Sequence, residues 1–130
     1  MPSVENPDRM IGILRDSIVE LVRRDGPDLT ARQLGVMLTC YTEAEPQTVR
    51  GLAAQLDVSK PAITRALDRL AEFDLVRRKI DPLDRRSVLI QRTGPGAVFV
   101  RGLRMAMREA ARLPKHGFAE AQAEAMRAVR

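Results

Sequence analysis

With a single cysteine, Cys40, and a single histidine, His116, in 130 residues, the chain cannot build a four-ligand zinc site or close an intramolecular disulfide. No metal and no cofactor is expected. Ser/His/Asp, Cys/His, paired-carboxylate and glycine-rich phosphate-binding arrangements are also missing, so no catalytic residue is assigned and an enzyme is not expected. Tryptophan is absent, and three Phe and one Tyr are too few for a protein that stacks single-stranded bases on aromatic platforms. No segment approaches about eighteen uninterrupted apolar residues, so no membrane span is expected. The first residues lack a basic lead followed by an apolar run, so a cytoplasmic protein is expected.

What the chain does have is positive charge in particular places. The net charge is +5, but residues 1–58 carry six basic and nine acidic side chains, residues 59–92 nine and five, and residues 93–130 seven and three. A cationic excess in one central segment and the tail is the footprint expected of phosphate binding. The length suits one core with helical extensions.

The central segment has a specific order of parts. Thr48 is placed as N-cap of a short helix with Val49, Leu52, Ala53 and Leu56 at helical spacing, and Asp57-Val58 breaks it. Ser59 caps a second helix, with Pro61 in its first turn, that turns Ile63, Ala66, Leu67 and Leu70 inward. The other face carries Pro61, Thr64, Arg65 and Asp68, flanked by Lys60 and Arg69. A solvated helix face would carry such residues too. They are equally the types a recognition helix presents to base edges in a major groove, with Arg and Lys for guanine and hydroxyls for either base.

The residues that follow favour the second reading. Leu75 to Ile80 and Ser87 to Gln91 are β-rich runs around an Asp-Pro turn, leaving a six-residue loop, Asp81 to Arg86, longer than a minimal hairpin needs. Its end, Asp84-Arg85-Arg86, suits a wing whose arginines enter the narrow, strongly negative minor groove, with Asp84 holding a neighbouring guanidinium in a bidentate pair. An ordinary surface hairpin with a salt bridge is the alternative. Arg77, Arg78 and Lys79 on the first strand are candidate phosphate contacts, with Arg50 as an outlying one. The expected DNA-binding set is therefore Ser59, Lys60, Pro61, Thr64, Arg65, Arg69, Arg77, Arg78, Lys79, Asp84, Arg85 and Arg86.

The run from Leu29 to Gly96, with its V-S-x-P-x-x-T-R-x-L-D-x-L helix, L-V-x-R strand, D-P-x-D-R-R wing and T-x-x-G close, resembles the MarR family of bacterial transcription regulators. The resemblance covers about half the chain. It implies a mostly α fold with a small β-hairpin wing, a winged helix-turn-helix flanked by N- and C-terminal dimerisation helices, and a homodimeric, nucleoid-associated repressor of a pseudo-palindromic double-stranded operator. It also implies release by a small, often aromatic or phenolic effector bound between the dimer helices and the reading head. Asp74 stands where the family usually has Gly, and Arg92 where it usually has an apolar residue.

The flanks are read as a dimerisation helix in residues 1–28, the winged helix-turn-helix in residues 29–92, and dimerisation helices in residues 93–130. A helix from about Asp8 to Arg24 carries Ile11, Leu14, Ile18 and Leu21 on one face, widened by Met10, Ile13, Val19 and Val22. That arc is broader than one neighbour can cover, which suits a partner subunit or a buried monomer core. Thr30 and Gln33 form a capping box for a scaffold helix through Tyr41, in which Cys40 is read as inert filler. Thr93 caps a helix through about Arg112; a hinge at 113–117 and a last Ala-rich helix from about Ala119 follow. Arg101, Arg104, Arg108 and Arg112 form a basic stripe, either a solvated face or a contact for phosphate or an anionic effector, with Arg104 and Arg108 the candidate effector residues. Two other functions remain open, an architectural or replication-associated DNA-binding protein without effector and a winged helix used for protein contact.

Overall fold

Each helix begins where a short polar side chain accepts a hydrogen bond from an amide that the helix itself leaves unpaired. In the computed structural model, which describes residues 6–112 and 126–128, Asn6 accepts from Asp8 N ahead of α1 (Pro7–Arg23). Thr30 and Gln33 close the expected capping box on α2 (Ala31–Thr42). Thr48 caps α3 (Val49–Leu56), and Ser59 caps α4 (Lys60–Glu72). Thr93 Oγ1 accepts from Gly96 N at 2.9 Å at the start of α5 (Gly94–Arg112). The expected hinge at 113–117 and most of the last helix from Ala119, with Phe118, Gln122, Ala125 and Val129, lie outside the described residues, as does His116.

The stops are equally local. Asp57 after α3 and Asp74 after α4 both take the left-handed conformation, with φ of 54° and 55°. In both, the next amide reaches back five residues: Val58 N to the Ala53 carbonyl and Leu75 N to the Leu70 carbonyl. This is the Schellman stop usually made by Gly, and Asp tolerates it because its short polar side chain is at home in that region.

Residues 27–101 form one compact unit. Val36, Met37, Leu52, Ile63, Leu67, Leu70 and Val76 are buried at its centre, the inward faces of α2, α3 and α4 meeting one side of a small antiparallel sheet. Its strands are β1 (Gln47–Thr48), β2 (Val76–Asp81) and β3 (Asp84–Arg92), in the order β1-β3-β2. The two-residue β1, paired through Gln47 with Ile90 and Thr48 with Leu89, is too short to leave a period-two pattern and is not foreseen from sequence.

The hairpin departs from expectation in its loop. Asp81 pairs directly with Asp84, so the connection is a two-residue turn, Pro82-Leu83, and not a six-residue loop. Proline presets the first turn position, and the Asp81 carboxylate accepts from Leu83 N at 2.9 Å, which tightens the turn. The extra length appears in β3: Ile80 pairs with Val88 and Asp81 with Asp84, leaving Arg85, Arg86 and Ser87 as an irregularity without partners in register.

One buried polar knot joins the parts of this unit. Tyr41 Oη, on α2, donates to the Leu75 carbonyl at 2.6 Å and accepts from Thr93 N at 3.0 Å. Thr93 Oγ1 in turn donates to the Asp74 carbonyl at 2.6 Å while capping α5. Both ends of the hairpin are thus tied to the scaffold helix and to each other. Gly96 lies against the knot; a Cβ there would fall on Tyr41 Oη and the Leu75 carbonyl oxygen. Arg92 closes the outside, its guanidinium donating to the Cys40 and Glu43 carbonyls at 2.9 and 2.7 Å and lying over the Tyr41 ring. A cation on the last carbonyls of α2 caps that helix and favours its dipole, which accounts for a charged residue at this position.

A second unit contains α1 and the part of α5 from Gly102 onward. In it the packed face of α1 is small and polar. Gly12 and Ser17 are buried, Ser17 Oγ donating to the Ile13 carbonyl, and Arg9 and Arg24 donate to the Ala111 and Gly102 carbonyls. The apolar stripe is outside, with Ile11, Leu14, Ile18 and Val22 each 45–76% exposed.

The knot predicts two graded losses. Tyr41→Phe removes one donor and one acceptor from a buried network and should lower unfolding stability by about 1–3 kcal/mol. Gly96→Ala must displace backbone and should lose at least about 3 kcal/mol. Urea unfolding of the three proteins checks both, and a Gly96→Ala protein as stable as the parent would contradict the geometry.

Candidate nucleic-acid interface

The N-terminal half of α4 is amphipathic in the way its sequence implies. Ala62, Ile63, Ala66, Leu67 and Leu70 are buried, while Lys60, Pro61, Thr64, Arg65, Asp68 and Arg69 are exposed. Ser59 is occupied by its cap, its hydroxyl accepting from Ala62 N at 3.2 Å. Pro61 lies in the first turn, where a missing amide hydrogen leaves nothing unpaired.

Ion pairing divides the basic residues into two groups. Arg78 Nη1 lies 2.6 Å from Asp68 Oδ1, which bolts β2 to the middle of α4. Arg69 pairs with Glu72 at 2.8 Å and lies over the Phe73 ring at 4.6 Å, so its guanidinium belongs to the last turn of α4 and not to the end that carries Thr64 and Arg65. Arg77 Nε lies 3.4 Å from Asp74. Among the described residues Lys60, Arg65, Lys79 and Arg85 make no ion pair within 4 Å. Exposed pairs of this kind contribute about 0–1 kcal/mol each and are readily exchanged for phosphate.

Strand alternation puts Arg77 and Lys79 on one face of β2, and Arg78 and Ile80 on the other together with the buried Val76. Arg85 and Arg86 sit in the irregular stretch of β3, Arg86 with 91% of its side chain exposed. The expected bidentate hold of Asp84 on a guanidinium is not made. Asp84 Oδ1 accepts from the Arg86 backbone N at 3.1 Å, and Arg86 Nε is 3.8 Å away, beyond hydrogen-bond reach. A short acid just after a turn finds the amide two residues on before any distant guanidinium, so Asp84 shapes the backbone. Arg50 is exposed on α3.

Arg104 and Arg108 are exposed on α5. The groove of about 680 Å³ in the unit of α1 and the later part of α5 is lined by other charged side chains, among them Arg15, Arg24 and Glu109. Neither arginine of the proposed effector pair lines it. The roles of Tyr41 and Arg92 come from contacts far apart in the chain and leave no local sign beyond the T-x-x-G spacing of Thr93 and Gly96.

These parts, a capped recognition helix behind a tight turn, a hairpin bearing cations and a scaffold helix beneath, define a winged helix-turn-helix. Residues 29–88 match the model of the MarR family. Similar solved structures include the transcriptional regulator Tm0710 from Thermotoga maritima, at 19% identity and a TM-score of 0.67 over 92% of this chain and 82% of that one. MarR from E. coli in its apo form is 29% identical, with a TM-score of 0.61 over 82% and 71% of the two chains. The YusO protein from Bacillus subtilis is 20% identical, with a TM-score of 0.64 over 92% and 84%. No curated protein sequence matches the chain. Among the described residues no helix is long and apolar enough to cross a membrane.

Burial makes Cys40 unreactive. Desolvation pushes its thiol up to about 11, against a smaller opposing pull from the Arg92 charge. At neutral pH it carries its proton and is a poor nucleophile. Because the folded thiol keeps its proton to higher pH than the unfolded one, with its ordinary value of 9.0, its contribution to stability is complete below about pH 9 and is lost as the pH rises toward 11. Cys40→Ala should flatten that part of the stability profile, and the native parent should resist a thiol reagent at pH 7. Rapid labelling of the native parent would contradict this reading.

Proposed function

We propose that the protein is a sequence-specific double-stranded DNA-binding regulator that acts as a homodimer, represses transcription and has no enzymatic activity of its own. The observation that carries the DNA reading is the set of cations that make no ion pair among the described residues, Lys60, Arg65, Lys79 and Arg85, displayed by one compact unit on its recognition helix and wing. In this reading Thr64 and Arg65 face base edges, Lys60, Arg77 and Lys79 meet phosphates, and Arg85 and Arg86 enter the minor groove. Arg78 and Asp84 act through position, Arg78 by joining wing to helix and Asp84 by shaping the wing turn. Ser59 and Pro61 set the start of the helix, and Arg69 serves the rim.

Homodimerisation is proposed on the exposed stripe Ile11, Leu14, Ile18 and Val22 of α1, an apolar surface that this chain leaves in water. A two-fold dimer calls for a pseudo-palindromic operator with half-sites about one helical turn apart. Release by a small anionic, partly apolar effector completes the proposal. The arginine pair Arg104 and Arg108 has only its one-turn spacing in support, whereas the groove beside Arg15 and Arg24 offers cations next to apolar side chains.

Arg86→Ala should weaken binding to a preferred duplex and flatten the salt dependence by about one unit of slope. Arg65→Ala should instead lose about 1–3 kcal/mol on that duplex and relax base preference at one position per half-site. Fluorescence anisotropy at several salt concentrations, on preferred and scrambled duplexes, separates the two. Equal losses on both duplexes for Arg65→Ala would reduce it to a phosphate contact. Leu14→Asp should shift the sedimentation coefficient to that of a monomer, and a parent that is monomeric at micromolar concentration would remove the two-fold operator.

A further inference from the structure

The tip of the wing is apolar as well as basic. Ile80 is 61% and Leu83 94% exposed, and Pro82 between them is exposed too. Turn tips are ordinarily polar. A lone exposed leucine would carry no message, but here three of four consecutive residues at the furthest point of the hairpin are apolar. The turn that holds them is stiff, with proline fixing one dihedral and the Asp81 carboxylate bonded to Leu83 N. Nothing in the fold of the 27–101 unit uses Leu83, whose side chain is almost wholly in solvent.

Charge next to the tip selects the surface it fits. Arg85 and Arg86 follow within three residues, Arg86 91% exposed, and Lys79 precedes it without an ion-pair partner among the described residues. An apolar protein patch would gain nothing from this cationic collar. The minor groove offers both halves of the match: a strongly negative interior for the arginines, and apolar deoxyribose faces along its walls for leucine and proline. A two-residue turn is narrow enough for a groove about 6 Å wide.

Resting on the DNA-binding reading, we infer that Leu83, backed by Pro82 and Ile80, is an apolar contact of the wing with minor-groove sugars, adding a part of the affinity that salt does not screen. The arginines draw the wing into the groove through its negative potential. Leu83 then excludes water from the sugar walls, and that burial depends on groove width, so the tip contributes to preference for sites where the groove is narrow.

The test uses the full chain and a labelled duplex recovered by it from a random-sequence pool. Leu83→Ala should bind about tenfold more weakly, as expected for losing one buried leucine contact, with an unchanged slope of affinity against salt, because no charge is removed. Leu83→Gln, polar and of similar length, should bind no better than Leu83→Ala, and Leu83→Met should stay within about twofold of the parent. All three should melt with the parent, since the side chain is exposed. Parental affinity in Leu83→Ala or Leu83→Gln, while Arg86→Ala is weakened, would overturn the inference and leave the DNA reading standing. Failure of the parent to recover any duplex above background would overturn both.

Discussion

The hydroxyl of Tyr41 is the group on which the reading unit turns. It is the one polar atom of the scaffold helix that touches both ends of the wing, donating to the residue that enters the hairpin and accepting from the residue that leaves it. A hairpin by itself is marginal in water, and a recognition helix is useful only if its angle to the wing is held. Buried hydrogen bonds do this better than apolar contacts because each has a single good geometry, and leaving one unmade is expensive. The close approach of Gly96 follows from the same constraint, since only a residue without Cβ leaves room for the hydroxyl and the carbonyl it serves.

Electrostatics works outward from that frame. The acids of the central segment are positioned: Asp68 fixes Arg78 and so the wing to the helix, Asp74 terminates α4, and Asp81 and Asp84 shape the wing turn. Their effect is to hold some basic residues as structure, while Lys60, Arg65, Lys79 and Arg85 make no ion pair among the described residues.

Much of this was legible in sequence because it is local. Caps at Thr30, Thr48, Ser59 and Thr93 and the inward positions of α4 depend on neighbours within a few residues, and all occur as read. The wing loop misled because a proline, one leucine and four charged residues look alike whether they make a loop or a tight turn followed by a strand irregularity; only the pairing of Asp81 with Asp84 decides it. The bidentate role read for Asp84 failed for a similar reason, the nearby amide outcompeting the guanidinium. Strand β1, the Tyr41 knot and the Arg92 cap depend on residues about 40 to 50 positions apart, which no periodicity encodes. The interface residues could be named as types, but which of them are held in ion pairs could be seen only in three dimensions.

Residue-resolved native-state hydrogen exchange tests the central claim that the knot makes wing, recognition helix and scaffold one body. The Thr93 and Gly96 amides should exchange only through the opening that releases Ile63 and Leu67 in α4, with the same free energy and the same denaturant dependence. If Thr93 and Gly96 exchange through a smaller opening while α4 stays protected, the wing moves independently of the helix and the account is contradicted.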